Sequence, residues 1–244
     1  MILALCGAGI ASLAFAAEPE ICGTPEYLTH VEGKLTRVAK AARKEHRLDI
    51  LVLGTGSSAL ASQAGSSYPA RLQASLAERL PGTAVTVRTD VKSSRTAAEM
   101  EGGLNKILLD AKPDLLVWQT GTVDAIKGVD PDEFRATLDK GVARLRAART
   151  DVVLINMQYS PRTESMISLG PFVESMRWVA QQNEVPLFDR FGVMRHWNEN
   201  ATFDLSGPDR ARMAERVHDC IGKLIAELII DTAHLNRPEE RESR

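Results

Sequence analysis

Along the chain, apolar positions recur in two alternating patterns. Spacings of three and four residues mark amphipathic helices over 26–44, 68–80, 96–112, 131–148, 171–183 and 209–230. Between them lie short, nearly continuous apolar runs at 48–53, 84–87, 115–118, 152–155 and 185–188. A strand with one wet face alternates apolar and polar residues. These runs do not, so both faces are expected to be covered, as in a parallel sheet. Pro81-Gly82 and Lys112-Pro113 fall where helices should stop. Helix and strand in alternation predict an α/β fold: a three-layer, doubly wound parallel sheet with its first strand away from the edge. The last helix is expected to turn Val217, Ile221, Leu224 and Leu228 inward. No repeat, low-complexity linker or second domain breaks the pattern, which predicts one domain over 17–244.

Composition narrows the classes. At 244 residues and 44% apolar, the chain is long enough for one domain with a sizeable core. Thirty Lys and Arg stand against thirty-two Asp and Glu, and the basic residues are spread along the sequence. That excludes the basic patch of a nucleic-acid or anionic-membrane surface. The one basic cluster, 40–47, alternates with Ala and Glu and reads as a solvated helix face. The first residues differ in kind. An apolar run of small residues over 2–16 ends in Ala14-Phe15-Ala16, with Glu18 and Glu20 beyond it, which reads as a signal peptide cleaved after residue 16. At about fifteen residues the run is too short to span a bilayer. Export to the periplasm without stable membrane insertion is therefore expected. Removing the signal, with Cys6 inside it, leaves Cys22 and Cys220. In an oxidising compartment they form a natural disulfide pair, with Cα atoms within ~7 Å. No histidine pair has ligand spacing and there is no Cys-x-x-Cys, so no metal, nucleotide or redox cofactor is expected.

In a doubly wound sheet the ligand site lies beyond the carboxyl ends of the strands. Chemistry is therefore sought in 54–59, 89–94, 119–124, 156–162 and 190–197, and in the stretch leading into the last helix. The first of these, Gly54-Thr55-Gly56-Ser57-Ser58-Ala59, has a lone Gly-x-Gly without the third glycine of a dinucleotide loop or the Gly-Lys-Ser/Thr of a phosphate loop. What remains is a glycine turn presenting Ser57 and Ser58 at the start of a helix. There a hydroxyl sits beside free backbone N–H groups that can hold an oxyanion. Serine also caps helices well, so on residue type alone both readings stand.

Four blocks carry a resemblance: ILVLGTGSSAL, SYPARLQASLAERLPG, DLLVWQTGTVDA and DVVLINMQYSPR. In this order they resemble the opening, second-helix, third-strand and fourth-strand blocks of the SGNH (GDSL-type) hydrolases. The match is closest to the exported bacterial branch with a cysteine near each end, and it runs over about 22–230. The resemblance implies a flavodoxin-like sheet. It also implies a serine nucleophile in the first block and a histidine base three residues after an aspartate in the last. A glycine N–H and an asparagine side chain from the second and third blocks would complete the oxyanion hole.

Carried over residue by residue, the pattern departs at each catalytic position. Gly-Asp-Ser falls on Gly54-Thr55-Gly56, so the nucleophile must be Ser57, one place on, or Ser58. No glycine answers in Asp90-Val91-Lys92-Ser93-Ser94. The Gly-x-Asn of the third block reads Gly121-Thr122-Val123, so its amide is gone. The last block aligns its aspartate with Asp209 and its histidine with Arg212, and a guanidinium stays protonated and cannot act as the base. His218 is the substitute, with Glu215 one helical turn before it or Asp209 orienting its imidazole; a histidine simply flanking the apolar helix face is the alternative. Asp231-Thr232-Ala233-His234 has the same spacing but lies in a polar tail. Gly56, Gly121, Thr122, Asp124, Tyr159, Arg162, His196 and Arg212 are expected to form the oxyanion and substrate-binding surface, while His30 and His46 fall outside it. The resemblance implies a monomeric hydrolase acting on an acyl or acetyl ester of an envelope carbohydrate or small lipid. The departures keep a second reading open: a catalytically impaired relative that binds a glycan or acyl ligand.

Overall fold

The computed structural model describes residues 21–59 and 64–236; the proposed signal peptide over 1–16 lies outside them. Five parallel strands form one sheet in the order β2-β1-β3-β4-β5. They are β1 (Arg47–Gly54), β2 (Ala84–Val91), β3 (Leu115–Gln119), β4 (Asp151–Ile155) and β5 (Leu187–Phe188). Apart from the entry residues Arg47, Asp49 and Asp151, β1, β3 and β4 are buried along their length, as continuous apolar runs require. The flanking helices include α3 (Tyr68–Arg79), α4 (Ala97–Asp110), α6 (Pro131–Ala147), α8 (Gly170–Gln182), α9 (Arg190–Glu199) and α10 (Arg210–Thr232). The α4, α6 and α8 helices pack in a row and α10 lies along α3. Right-handed crossovers put these two groups on opposite faces, so the three-layer doubly wound sheet is borne out. On α10, Val217, Ile221, Leu224 and Leu228 all face inward.

Three expectations need correction. The helix expected over 26–44 is broken into α1 (Glu26–Thr29), α2 (Thr36–Lys40) and one π-type turn, Ala41–Glu45. Gly33 lies in the gap at φ 127°, and any Cβ there would sit 2.8 Å from the Pro186 ring. That left-handed close approach is open only to glycine and is incompatible with a continuous helix. Secondly, β2 is an edge strand with no fully buried residue, and it runs on to Val91. Thirdly, β5 is two residues long, because Pro186 has no N–H for the ladder, although its carbonyl still accepts from Leu154 N at 2.9 Å. The sequence pattern also left out α5 (Thr122–Ile126), α7 (Pro161–Met166) and α9.

Cys22 and Cys220 are joined by a disulfide, with Cα atoms 5.8 Å apart. The bridge ties the start of the described chain to the middle of α10 and closes a loop of 198 residues. Among the described residues no helix is long and apolar enough to cross a membrane.

Candidate active site

The 2-1-3-4-5 strand order reverses direction between β1 and β3, and a doubly wound sheet opens its binding crevice at that point. The end of β1 supplies a short turn, Gly56–Ser58, and the end of β3 supplies Gln119. Ser58 is fully buried, and its hydroxyl donates to Gln119 Oε1 at 2.8 Å. Ser57 is half-buried, and its Oγ accepts from Gln119 Nε2 at 2.6 Å. One glutamine side chain thus fixes both hydroxyls. Gly54 has to be glycine, because a Cβ there would collide with the Ser58 hydroxyl.

Beneath this pair lies a residue that the sequence did not single out. Arg190, the first residue of α9, is 0% exposed. Its Nη1 donates to Gln119 Oε1 at 3.0 Å and to the Ser57 carbonyl at 3.2 Å, and its Nη2 donates to Gln158 Oε1 at 3.2 Å. Its plane lies over the Tyr68 ring, with 5.9 Å from Cζ to the centroid, and its Nε has no partner. No carboxylate pairs with it among the described residues. The adjacent Asp189 is engaged elsewhere: its Oδ1 accepts from Asn156 Nδ2 and Gly192 N, and its Oδ2 accepts from Arg177. Burial alone would raise the Asp189 pKa, but these donors hold it below the usual carboxylate range. For Arg190 burial wins, pulling the guanidinium down to about 10. The only hint of Arg190 in the sequence was a cation directly after the fifth strand, at the carboxyl end of the sheet.

His218 lies beside this cluster in a different role from the one expected. Tyr68 is the first residue of α3, so its N–H has no partner within the helix. His218 Nδ1 accepts that N–H at 2.9 Å. Helices α3 and α10 come close enough for this because Gly222, one turn on, rests against Arg71 and Leu72 with no room for a side chain. An Nδ1 that accepts from a backbone N–H carries no proton, so the neutral ring holds its hydrogen on Nε2. Burial, with Arg190 nearby, lowers the His218 pKa to about 3 and keeps the ring neutral. In this tautomer His218 is a donor and cannot take a proton from serine. No hydrogen bond joins it to Ser57, Ser58 or Glu215 among the described residues.

The other predicted residues separate into groups. Asp209 caps α10, accepting from Arg212 N at 3.3 Å, and pairs with the Arg212 guanidinium on an exposed surface, so neither faces the serines. His196, on α9, hydrogen-bonds Asn200 just past the helix end and does not line the pocket described below. Asp124 is buried and structural: Oδ1 accepts from Ala97 N at 2.9 Å, tying α4 to the β3–α5 turn, and burial raises its pKa. Gly121 adopts φ 103° with a Cβ position blocked by Met157, and Thr122 follows it at the start of α5. Gly56 is exposed, next to Ser93 Oγ. His234 lies past the end of α10, where its carbonyl accepts from Arg43.

A pocket of about 360 Å³ opens on the far side of Arg190. Tyr159, Arg162, Met194 and Arg210 form its rim and walls, and Arg190 and His218 contribute to its inner end. Arg190 therefore connects the serine turn with this pocket.

Sequence comparison adds the family. Residues 21–235 match the model of the non-GDSL lipase-like family. The chain belongs to that family. Membership agrees with the SGNH resemblance and with a first block in which no serine follows Gly-Asp. No curated protein matches the chain in sequence. Among solved structures, the fold is similar to that of TesA, with 23% identity over 73% of this chain and 98% of the other and a TM-score of 0.57. It is similar to a catalytic mutant of Axe2, an acetylxylan esterase from Geobacillus stearothermophilus, with 15% identity over 76% and 94% and a TM-score of 0.59. A two-domain esterase active on acetylated mannans superimposes with a TM-score of 0.72 at 13% identity, over 90% of this chain and 59% of the larger one. At these identities the likeness establishes the fold of the non-GDSL lipase-like chain.

Proposed function

We propose that this member of the non-GDSL lipase-like family is an exported, monomeric carboxylic-ester hydrolase of the periplasm. Its substrate would be a small acyl or acetyl ester, such as a decorated envelope carbohydrate. The observation that carries this reading is the Gln119 amide donating to Ser57 Oγ at 2.6 Å in a corner backed by a buried, uncompensated guanidinium. A hydroxyl oxygen that accepts from an amide, close to a cation in a low-dielectric site, is stabilised as the alkoxide. Ser57 Oγ would attack the ester carbonyl carbon, release the alcohol and leave an acyl-enzyme that water hydrolyses. The serine proton would leave to solvent, since His218 cannot accept it, and the departing alkoxide would take its proton from water. Turnover slower than that of a serine–histidine enzyme is expected, by ~10²–10⁴, the usual contribution of a positioned base.

A second reading, binding of the same ligand without turnover, is favoured by one observation: His218 Nδ1 is committed to Tyr68 N. A fluorophosphonate probe separates the two. Labelling at Ser57, with ester turnover abolished in the Ser57→Ala/Ser58→Ala double variant, supports the hydrolase. No labelling and no turnover support the binding protein, and turnover surviving in the double variant refutes the serine assignment.

A further inference from the structure

Arg190 is a cation prepared for something that the described residues do not provide. Burying a guanidinium is unfavourable unless a carboxylate or another anion accompanies it. Its protein partners are the neutral acceptors Ser57 O, Gln119 Oε1 and Gln158 Oε1. Three of its five N–H groups are used in this way, and the Nε–H is buried without a partner. Neutral acceptors are weaker than charged ones, so the outer edge of the guanidinium, Nε and Nη2, is incompletely matched. Gln158 is half-buried on the pocket wall, and its amide oxygen occupies the place that a ligand oxygen would take.

The pocket repeats this charge bias. Arg162 and Arg210 are exposed at its mouth and make no ion pair among the described residues. The one acid on its wall, Asp204, accepts from Ser206 N at 3.1 Å and from Ser206 Oγ at 3.2 Å. His218, held neutral, offers only its Nε2–H.

We infer that this pocket recognises a ligand bearing a carboxylate, which Arg190 grips side-on through Nε and Nη2 after Gln158 swings away. Tyr159, Met194 and Val217 supply an apolar wall for the rest of the ligand. This narrows the ligand of the function proposed above to one that bears a carboxylate rather than a neutral acetyl ester. It rests on that reading for the reaction but not for binding.

The test uses probes that cannot be hydrolysed as esters. Succinamate, with one carboxylate, and succinamide, its uncharged counterpart, are titrated calorimetrically into the purified, disulfide-intact protein. Succinamate is expected to bind at least tenfold more tightly. In Arg190→Lys, which keeps the charge and loses the fork, that preference should fall severalfold, and in Arg190→Met it should vanish. Gln158→Ala removes the competing oxygen and should tighten succinamate without changing succinamide, a readout that survives if an Arg190 variant does not fold. Equal affinity for the two probes, binding of neither, or a preference unchanged in Arg190→Met and Gln158→Ala overturns the inference. Charge-selective binding without fluorophosphonate labelling sinks the hydrolase and leaves the carboxylate site standing. Labelling of Ser57 without charge selectivity does the reverse.

Discussion

The two ends of the sheet treat buried charge in opposite ways. At the amino end, Arg37 donates through Nε to Asp114 Oδ1 at 2.8 Å and through both terminal nitrogens to Glu45 at 2.6 and 3.0 Å. Asp114, 2% exposed, also accepts from Asp49 N at 2.9 Å, which locks β1 to the start of β3. In this network Arg37, Asp114 and Glu45 each have an opposite. At the carboxyl end, Arg190 is more deeply buried and has no carboxylate partner among the described residues. A matched network holds a fold together, whereas an unmatched cation keeps binding energy in reserve for a ligand. The burial of a charge therefore says little until its partner is named.

Removing one member of the matched pair should have the largest effect. Asp114→Ala leaves Arg37 without its buried partner and Asp49 N without an acceptor. A loss of ~2–3 kcal/mol is expected in urea unfolding, since a charge-assisted hydrogen bond goes and the Asp49 N–H is left without an acceptor, while Arg37 keeps Glu45. A loss under ~1 kcal/mol would mean that the amino-end network is no better matched than the carboxyl end. Next comes Gly54→Ala, whose methyl must displace the Ser58 hydroxyl. It should cost ~1–3 kcal/mol, as overpacking does, and lower any Ser57 reactivity with it, since Gln119 holds both serines.

A pH effect follows from His218. Its folded pKa, about 3, lies below the ordinary 6.5, so the unfolded chain binds the proton more readily. The contribution of the neutral ring is full above pH 6.5 and is lost as pH falls toward 3, at up to ~1.4 kcal/mol per pH unit. His218→Asn, which can still accept the Tyr68 N–H, should flatten the stability profile in that window. Nitrogen-15 NMR of the wild type should show the Nε2–H tautomer unchanged from pH 4 to 8, and a charged ring at pH 5 would contradict it. The smallest effect is expected at Arg190 itself. Relief from burying a lone cation roughly offsets three hydrogen bonds to neutral acceptors, so Arg190→Met should stay within ~1 kcal/mol of the parent. A loss comparable to that of Asp114→Ala would show that the guanidinium is a structural element after all.

The parallel sheet, the inward face of the last helix and the pairing of Cys22 with Cys220 were legible in the sequence, because each rests on local periodicity or on the compartment chemistry of cysteine. The serine turn was legible too, since a glycine turn directly after a buried strand is a local signal. The broken first helix was not, because its cause is Pro186, more than a hundred and fifty positions away. Nor was the role of His218. The Glu215–His218 spacing describes neighbours on one helix, while the ring is claimed by the first N–H of α3, 150 residues earlier. Arg190 was read only as part of a strand-end segment, and nothing in Asp189-Arg190 tells which charge is spoken for. Asn156 and Arg177 take Asp189, and that choice leaves Arg190 alone. The sequence by itself determined which residues stand at the carboxyl end of the sheet, because strand order and helix periodicity are set by neighbouring residues. Which of them hold each other, and which one is left over for a ligand, only the tertiary structure decided, because hydrogen-bond partners are chosen by distance in space.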